Sequence, residues 1–368
     1  MSAALAALID RSHREREDWR YTNVEKLMGA LKAAPQAVAK IANSELPSFT
    51  SDASQRQEII FVNGVLSPRV TNTQKWSPMV VAGNLESGYR LTFADQSCLI
   101  AAPIELIFVN EGTDVAIKLD IDVGANSSLT IVEHHIARGD AIGSRIVETS
   151  IELGSQAKLV HKKIAHAMGS VARFTRTQVR LQEGAYYRHF SLMKDAHLSR
   201  DETDVMLDGP MAQCSFHGVM LLRDNEHADV QIRAHHNAAH TTSRQLYKAI
   251  VKDRAHGVFQ GRIKVAKNAQ KIDGQQLCRA LLLSDQAEMD AKPELEIYAD
   301  DVSCSHGCAI GDIDPDAMFY LRSRGLSEAA ARGLLLRAFV DEVLDELQVE
   351  ETRTYVRGLT ERWADDQG

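Results

Sequence analysis

The chain has 368 residues, more than one compact domain usually holds, and a net charge of −8 at neutral pH. That balance argues against nucleic-acid binding, which normally gathers a basic surplus, and no apolar run approaches the length that crosses a membrane. Five cysteines, Cys98, Cys214, Cys278, Cys304 and Cys308, are widely spread and odd in number, so reduced thiols are expected rather than a disulfide framework. The apolar opening is too short and lacks a basic leader for a signal peptide, and a soluble cytoplasmic protein is expected.

Residues 3–35 read as helical, with Val24, Leu27, Met28 and Leu31 recurring at helical spacing. From 34 to about 86 the pattern weakens around Pro35, Pro47 and Pro68, although Ile59-Ile-Phe-Val-Asn-Gly64 is a strand-turn signal. The stretch from about 90 to 312 is different, because short β-branched runs end on glycine. Gly124, Gly154 and Gly184 recur thirty residues apart, and Gly209 continues the series at a shorter step. Such a step marks stacked units that cannot bury an apolar face without neighbours. An antiparallel sandwich and a β-solenoid both fit, and the single inward ladder per turn favours the solenoid.

Beyond Asp312 the pattern turns helical. Asp314 is a good N-cap, Pro315 suits the first helical position and Gly325 can close the helix. Ser327 caps a second helix, whose Leu336, Phe339, Val340, Val343, Leu344 and Leu347 form an apolar stripe. The stripe is either core or a docking face for a partner. The charged end, with Tyr355, Leu359 and Trp363, adds a third helix or frays. Three regions follow: 1–88 helical and irregular, 89–312 a β core, and 313–368 helical.

Cys304-Ser-His306-Gly-Cys308 is the densest set of soft ligands. Side chains alternate along a strand, so all three share a face, and thiolate with imidazole suits zinc, iron or an iron–sulfur cluster. A small cysteine packed beside a hydrogen-bonded histidine is the other reading. Cys278, ahead of an apolar run, reads as packing. Adjacent His134-His135 and His235-His236 point to opposite faces, so at most one of each pair can join a given site; with His240 they read as polar residues on a solvated or subunit-contact surface. Neither a phosphate-cradling GxxxxGK[ST] nor a dinucleotide GxGxxG unit is present, and no GxSxG or HExxH appears.

Lys292-Pro-Glu-Leu-Glu-Ile-Tyr-Ala-Asp-Asp-Val-Ser-Cys-Ser-His-Gly307 and Met318-Phe-Tyr-Leu-Arg-Ser-Arg-Gly325 resemble signatures of the SufB/SufD family of the SUF iron–sulfur cluster assembly machinery. Glu17-Asp-Trp-Arg-Tyr-Thr22, His235-His-Asn-Ala-Ala-His-Thr-Thr-Ser243 and Val265-Ala-Lys-Asn-Ala-Gln270 extend the resemblance over nearly the whole chain. It implies a mainly β protein, a right-handed parallel β-helix core flanked by α-helical segments. It further implies a non-catalytic scaffold that pairs with the paralogue SufB through the β-helix, or with itself when isolated. The ATPase SufC would dock on the C-terminal helices and carry the nucleotide chemistry.

By the same resemblance, His306 and Cys304 would lie at the SufB junction and share a transient iron–sulfur cluster with it. Phe319, Tyr320, Arg322, Arg324, Leu336, Phe339 and Val343 would serve SufC docking. The SufD branch is indicated by Phe319-Tyr-Leu-Arg-Ser-Arg-Gly325, which lacks the cysteine of the SufB version, and by Gly307, where SufB resembles a glutamate-bearing form. Cys308 departs from the SufD pattern, and Cys278 falls where SufB carries its functional cysteine, which makes both candidate thiol ligands. The family is also linked to reduced flavin, although no residues here mark a flavin site. Two other functions remain for such a fold: a β-helix enzyme acting on polysaccharide, which would need an acidic ladder not visible in this sequence, and a stand-alone metal-binding protein.

Overall fold

The structure, a computed structural model, describes residues 2–33, 57–67, 79–94, 103–112, 114–138, 141–166, 168–345 and 350–365. Two helices, α1 (Ala3–Arg14) and α2 (Val24–Ala33), precede a long run of strands. One sheet has ten strands: β1 (Gln57–Val62), β2 (Val65–Leu66), β5 (Ile104–Asn110), β7 (Ser128–Ala137), β9 (Lys158–Ala165), β11 (Tyr186–Lys194), β13 (Gln213–Leu222), β15 (Thr242–Val251), β17 (Ile272–Leu282) and β19 (Val302–Gly311). The other has nine: β3 (Met79–Asn84), β4 (Gly88–Phe93), β6 (Val115–Val123), β8 (Gly143–Leu153), β10 (Val171–Leu181), β12 (Leu198–Leu207), β14 (His227–His236), β16 (His256–Val265) and β18 (Glu288–Ile297).

From β4 onward successive strands alternate between the sheets, and each pairs in parallel with the strand two places on. This is a parallel β-solenoid, mostly β, with helices at both ends of the chain. The sheets already include β1, which pairs in parallel with β5, so strand structure begins within the stretch that reads as irregular. Of that stretch, 34–56 and 68–78 lie outside the described residues.

The register explains the glycine pattern and revises it. Leu153 stands beside Leu181, and Leu181 beside Leu207. Gly154 is therefore matched by Gln182, and Gly184 by Gln156 at the third position of the turn. The thirty-residue step from 154 to 184 crosses register. What recurs at one series of corners is a left-handed residue: Asn126, Gln156, Gly184, Met211, His240 and Lys271 all have φ near +60°. Their backbone N–H groups donate to the next turn, as from Gln156 to the Glu183 carbonyl at 2.9 Å and from His240 to the Gln270 carbonyl at 2.9 Å. The ladder thus continues around the corners, which satisfies backbone groups that a tight turn would otherwise orphan.

Alternation along each strand sends every second side chain into the lumen between the sheets. Leu119, Ile121, Leu159, Val179, Leu181, Val205, Tyr187 and Phe216 fill it as one continuous apolar core. A second cluster forms outside the ten-stranded sheet. There Val132, Ile164, Phe190, Leu192, Val219, Leu221 and Ile250 meet Leu336, Val340, Val343 and Leu344 of α4 (Glu328–Leu344) and Val356, Leu359 and Trp363 of α5 (Glu350–Asp365). At about 25 cal/mol per Å² of buried apolar surface, contacts of this kind are what hold a helical hairpin against a sheet. Between β19 and α4 lies α3 (Pro315–Ser323), capped by Asp314 with Pro315 at its first turn; Ser327 caps α4, and Gly325 between them has φ +93°.

Candidate functional site at the open end of the solenoid

Strands β18 and β19 are the last of their sheets, so each has a hydrogen-bonded neighbour on one side only. Their inward side chains face the last opening of the lumen. On β19 these are Cys304, His306 and Cys308, and the register sets them beside Gly274, Gln276 and Cys278 of β17. Cys304 lies against Ile263 and Ile272, and a Cβ added to Gly274 would sit 3.3 Å from its Sγ. His306 is exposed, Cys308 is exposed and Cys278 is 1% exposed. Across the opening, Met289, Ala291 and Leu295 of β18 are only half-buried, and Ile310 of β19 is exposed.

The thiols of this rung differ. Cys278 donates a hydrogen bond to Cys308, which, against the opposing effect of partial burial, holds the Cys308 thiol down at about 7. The same bond and the burial of Cys278 push the Cys278 thiol far up. Burial raises Cys304 as well, opposed by a backbone hydrogen bond from Gly274. Cys308 is therefore the most readily ionised thiol of the three. The strand rise of about 3.3 Å per residue spreads Cys304, His306 and Cys308 over about 13 Å, too far for one small ion. Consistently, among the described residues no group of three or more His, Cys, Asp or Glu side chains is gathered to hold a metal.

The helical residues divide into two groups. Phe319 is 75% and Tyr320 56% exposed, Arg324 packs its guanidinium 5.2 Å from the Tyr320 ring centroid, and Arg322 pairs with Glu328 at 3.5 Å. These side chains form an open aromatic and basic surface. Leu336, at 2% exposure, and Val343 are instead buried against the solenoid and α5. Phe339 is half-buried, with the Lys248 ammonium 4.4 Å from its ring and bonded to its carbonyl. Of the two readings of the stripe on α4, Leu336, Val340, Val343 and Leu344 follow the core reading, their period set by the sheet beneath. Leu347 lies outside the described residues.

Sequence reasoning missed the polar layer inside the lumen. Glu133 accepts from His135 at 3.0 Å and from His161 at 2.8 Å, and His161 also bonds the Tyr187 hydroxyl. Burial opposes the charge on Glu133, but His161, His135 and Lys163 draw its carboxyl well below the ordinary range. Lys163 pairs with Asp201 at 2.7 Å and bonds Thr177 at 2.8 Å. The available signal was charge at inward parity in otherwise apolar strands. The histidine pairs do split between faces as alternation requires, His135 toward Glu133 and His134 toward Glu105 and His166. Three of them depart from the surface reading, because His134, His135 and His236 are fully buried and His236 bonds Thr241 and Ser243; His235 is half-buried and His240 is exposed.

The Glu17–Thr22 segment is fixed to the outer face of β12 and β14. Arg200 lies over the Trp19 ring, Asp18 pairs with Arg233 at 2.8 Å, and Thr22 bonds Asp229 and shares a hydrogen bond with His227. No described helix is long and apolar enough to cross a membrane.

The parallel β-solenoid thus ends in a rung of thiols and an imidazole, followed by an exposed aromatic helix. Residues 108–339 match the family described as SUF system FeS cluster assembly, SufBD core domain. The chain belongs to this SufBD family. It is similar to the iron–sulfur cluster assembly protein SufD of Escherichia coli, 29% identical over 93% of this chain and 87% of that protein. It is also similar to a SufBD family protein of Synechocystis, 26% identical over 97% of this chain and 88% of that protein. The SufD of Bacillus subtilis is 26% identical over 76% of this chain and 64% of its own length.

Proposed function

We propose that the chain is a non-catalytic scaffold subunit that pairs, through the open end of its solenoid, with a SufB-type paralogue and assembles an iron–sulfur cluster at that junction. The carrying observation is the last rung. Edge strands β18 and β19 have unpaired backbone and a half-buried apolar lining, an arrangement that invites strand or face pairing with another chain. Among the described residues no group of three ligands gathers around Cys304 and His306, and the remaining ligands would come from the paralogue. The cluster is the cargo of this site, and the thiolate and imidazole would hold iron during its assembly.

The second contact of the proposal is SufC docking on the exposed Phe319, Tyr320, Arg322 and Arg324, with Leu336, Phe339 and Val343 seating the following helix on the solenoid. Nucleotide turnover then resides in the partner. Anaerobic co-expression with candidate SufB-type and SufC-type partners tests both contacts. Ile310→Glu should remove the paralogue and keep the ATPase, and Phe319→Asp should do the reverse. Retention of both partners by both folded variants would overturn the assignment of these surfaces.

A further inference from the structure

Among the described cysteines, Cys278 and Cys308 alone are direct neighbours. Cys214 of β13 is followed across the sheet by Ser243, Gly274 and Cys304, with no two thiols adjacent in that column. Cys304 and Cys308 share a strand, and their Cα atoms are about 13 Å apart by the strand rise, beyond the roughly 7 Å that a disulfide spans. Cys278 and Cys308 face each other in register across a parallel pair, where strands lie about 4.8 Å apart. That separation is within the range of disulfide-bonded cysteines. Cys308 is exposed to an incoming reagent and Cys278 is buried behind it. Among the described strands β19 pairs with β17 alone, which leaves its outer edge room for the small adjustment that a covalent bond requires.

We propose that Cys278 and Cys308 are a modification site, a dithiol that closes to a reversible intrachain disulfide across β17 and β19 on meeting a low-molecular-weight disulfide. Cys308, the exposed member of the pair, gives up its proton and attacks one sulfur of the oxidant, whose S–S bond breaks and releases one small thiolate. Cys278 then loses its proton and attacks the Cys308 sulfur, displacing the second small thiolate. The two protein thiols give up two electrons and two protons, and the oxidant leaves as two thiols. Closure pins the edge strand to β17 and withdraws both sulfurs from any soft ligand, so the open and closed forms of the rung differ in what they can bind. The inference does not depend on which partners the chain has.

The test uses the purified full chain, held in mixtures of oxidised and reduced glutathione without denaturant, alkylated, and examined by intact mass and peptide mapping. The expected result is a Cys278–Cys308 cross-linked peptide, no retained glutathione, two of the five thiols protected from alkylation, and reversal by dithiothreitol. Cys304→Ser should close as the unaltered chain does, and Cys278→Ser should retain glutathione on Cys308. A stable glutathione adduct on the unaltered chain, a link to Cys304 or between two chains, or thiols left free in the most oxidising mixture would overturn the proposal. The map of the unaltered chain decides even if a variant does not fold. Loss of partner binding, tested separately by co-expression, would leave this result untouched.

Discussion

The guanidinium of Arg200 lies 3.9 Å from the centroid of the Trp19 ring, and the same guanidinium bonds Glu202, Asp229 and the Asp18 carbonyl. One side chain of β12 thus ties the N-terminal segment to the solenoid wall. Arg200 itself is almost wholly buried, and Asp229 and Glu202 hold it charged against the cost of burial.

Trp19→Ala should release this segment. Removing a buried tryptophan side chain costs about 3–5 kcal/mol, and the loss falls first on the attachment of α1 and α2. Trypsin should then cut at Arg11, Arg14, Arg16 or Arg20 well before it enters the strands. Proteolysis unchanged from the unaltered chain would show that the contact does not hold the segment.

Leu336→Asp and Phe319→Ala should separate core from surface. The first places a charge among Val219, Ile250 and Val340 and should destabilise the C-terminal helices by about 3 kcal/mol or more, seen as an early loss of helical signal in urea. The second alters an exposed ring and should change stability by less than about 0.5 kcal/mol. If Phe319→Ala unfolded the tail, the division drawn between α3 and α4 would fail.

His306→Ala should leave the folded chain as stable as before, within about 0.5 kcal/mol, because the ring is exposed on an edge strand. Cluster yield on anaerobic reconstitution with a SufB-type partner should nevertheless fall. Equal yields for His306→Ala, Cys304→Ser and the unaltered chain would remove the rung from cluster assembly.

Acid should destabilise this protein at a higher pH than its carboxylates alone would dictate. Burial lowers His217 and His236 to about 4, and His135 and His227 to about 3. The unfolded chain binds protons at these positions near pH 6.5 while the folded chain does not, so stability is full above that value and declines as pH falls toward 4. For His236 the loss by pH 4 is up to about 3 kcal/mol. Urea midpoints measured from pH 7.5 to 4.5 should show the slope, and His236→Gln should flatten it; a flat profile in the unaltered chain would contradict the assignment of neutral buried rings.

How much of this was legible in the sequence depended on whether one residue type announces one role. Asp314, Pro315, Gly325 and Ser327 did so, because caps and helix ends demand particular chemistry, and their helices lie where the sequence places them. The corners did not. A left-handed residue recurs at one series of them, yet Asn, Gln, Gly, Met, His and Lys all fill the role, since a continuous ladder of backbone hydrogen bonds compensates for the conformational cost. The glycine repeat was an incomplete guide to the turns: at Gly184 it stood two residues out of register, while the equivalent corner residues Asp224 and Asp253 are not glycine. Cys304, His306 and Cys308 could be set on one face by alternation alone. Their pairing with Gly274, Gln276 and Cys278 could not be read, because cross-strand register is a long-range property.

The connection between β19 and α3 has a mechanical consequence. Gly311 ends the strand and Pro315 begins the helix, so only 312–314 join them, a leash of about 10 Å at full stretch. Any load that carries α3 farther than this from its seat must draw on the last strand. That strand is held by one neighbour alone, which makes the thiol-bearing edge the first part of the wall to register a pull on the helix.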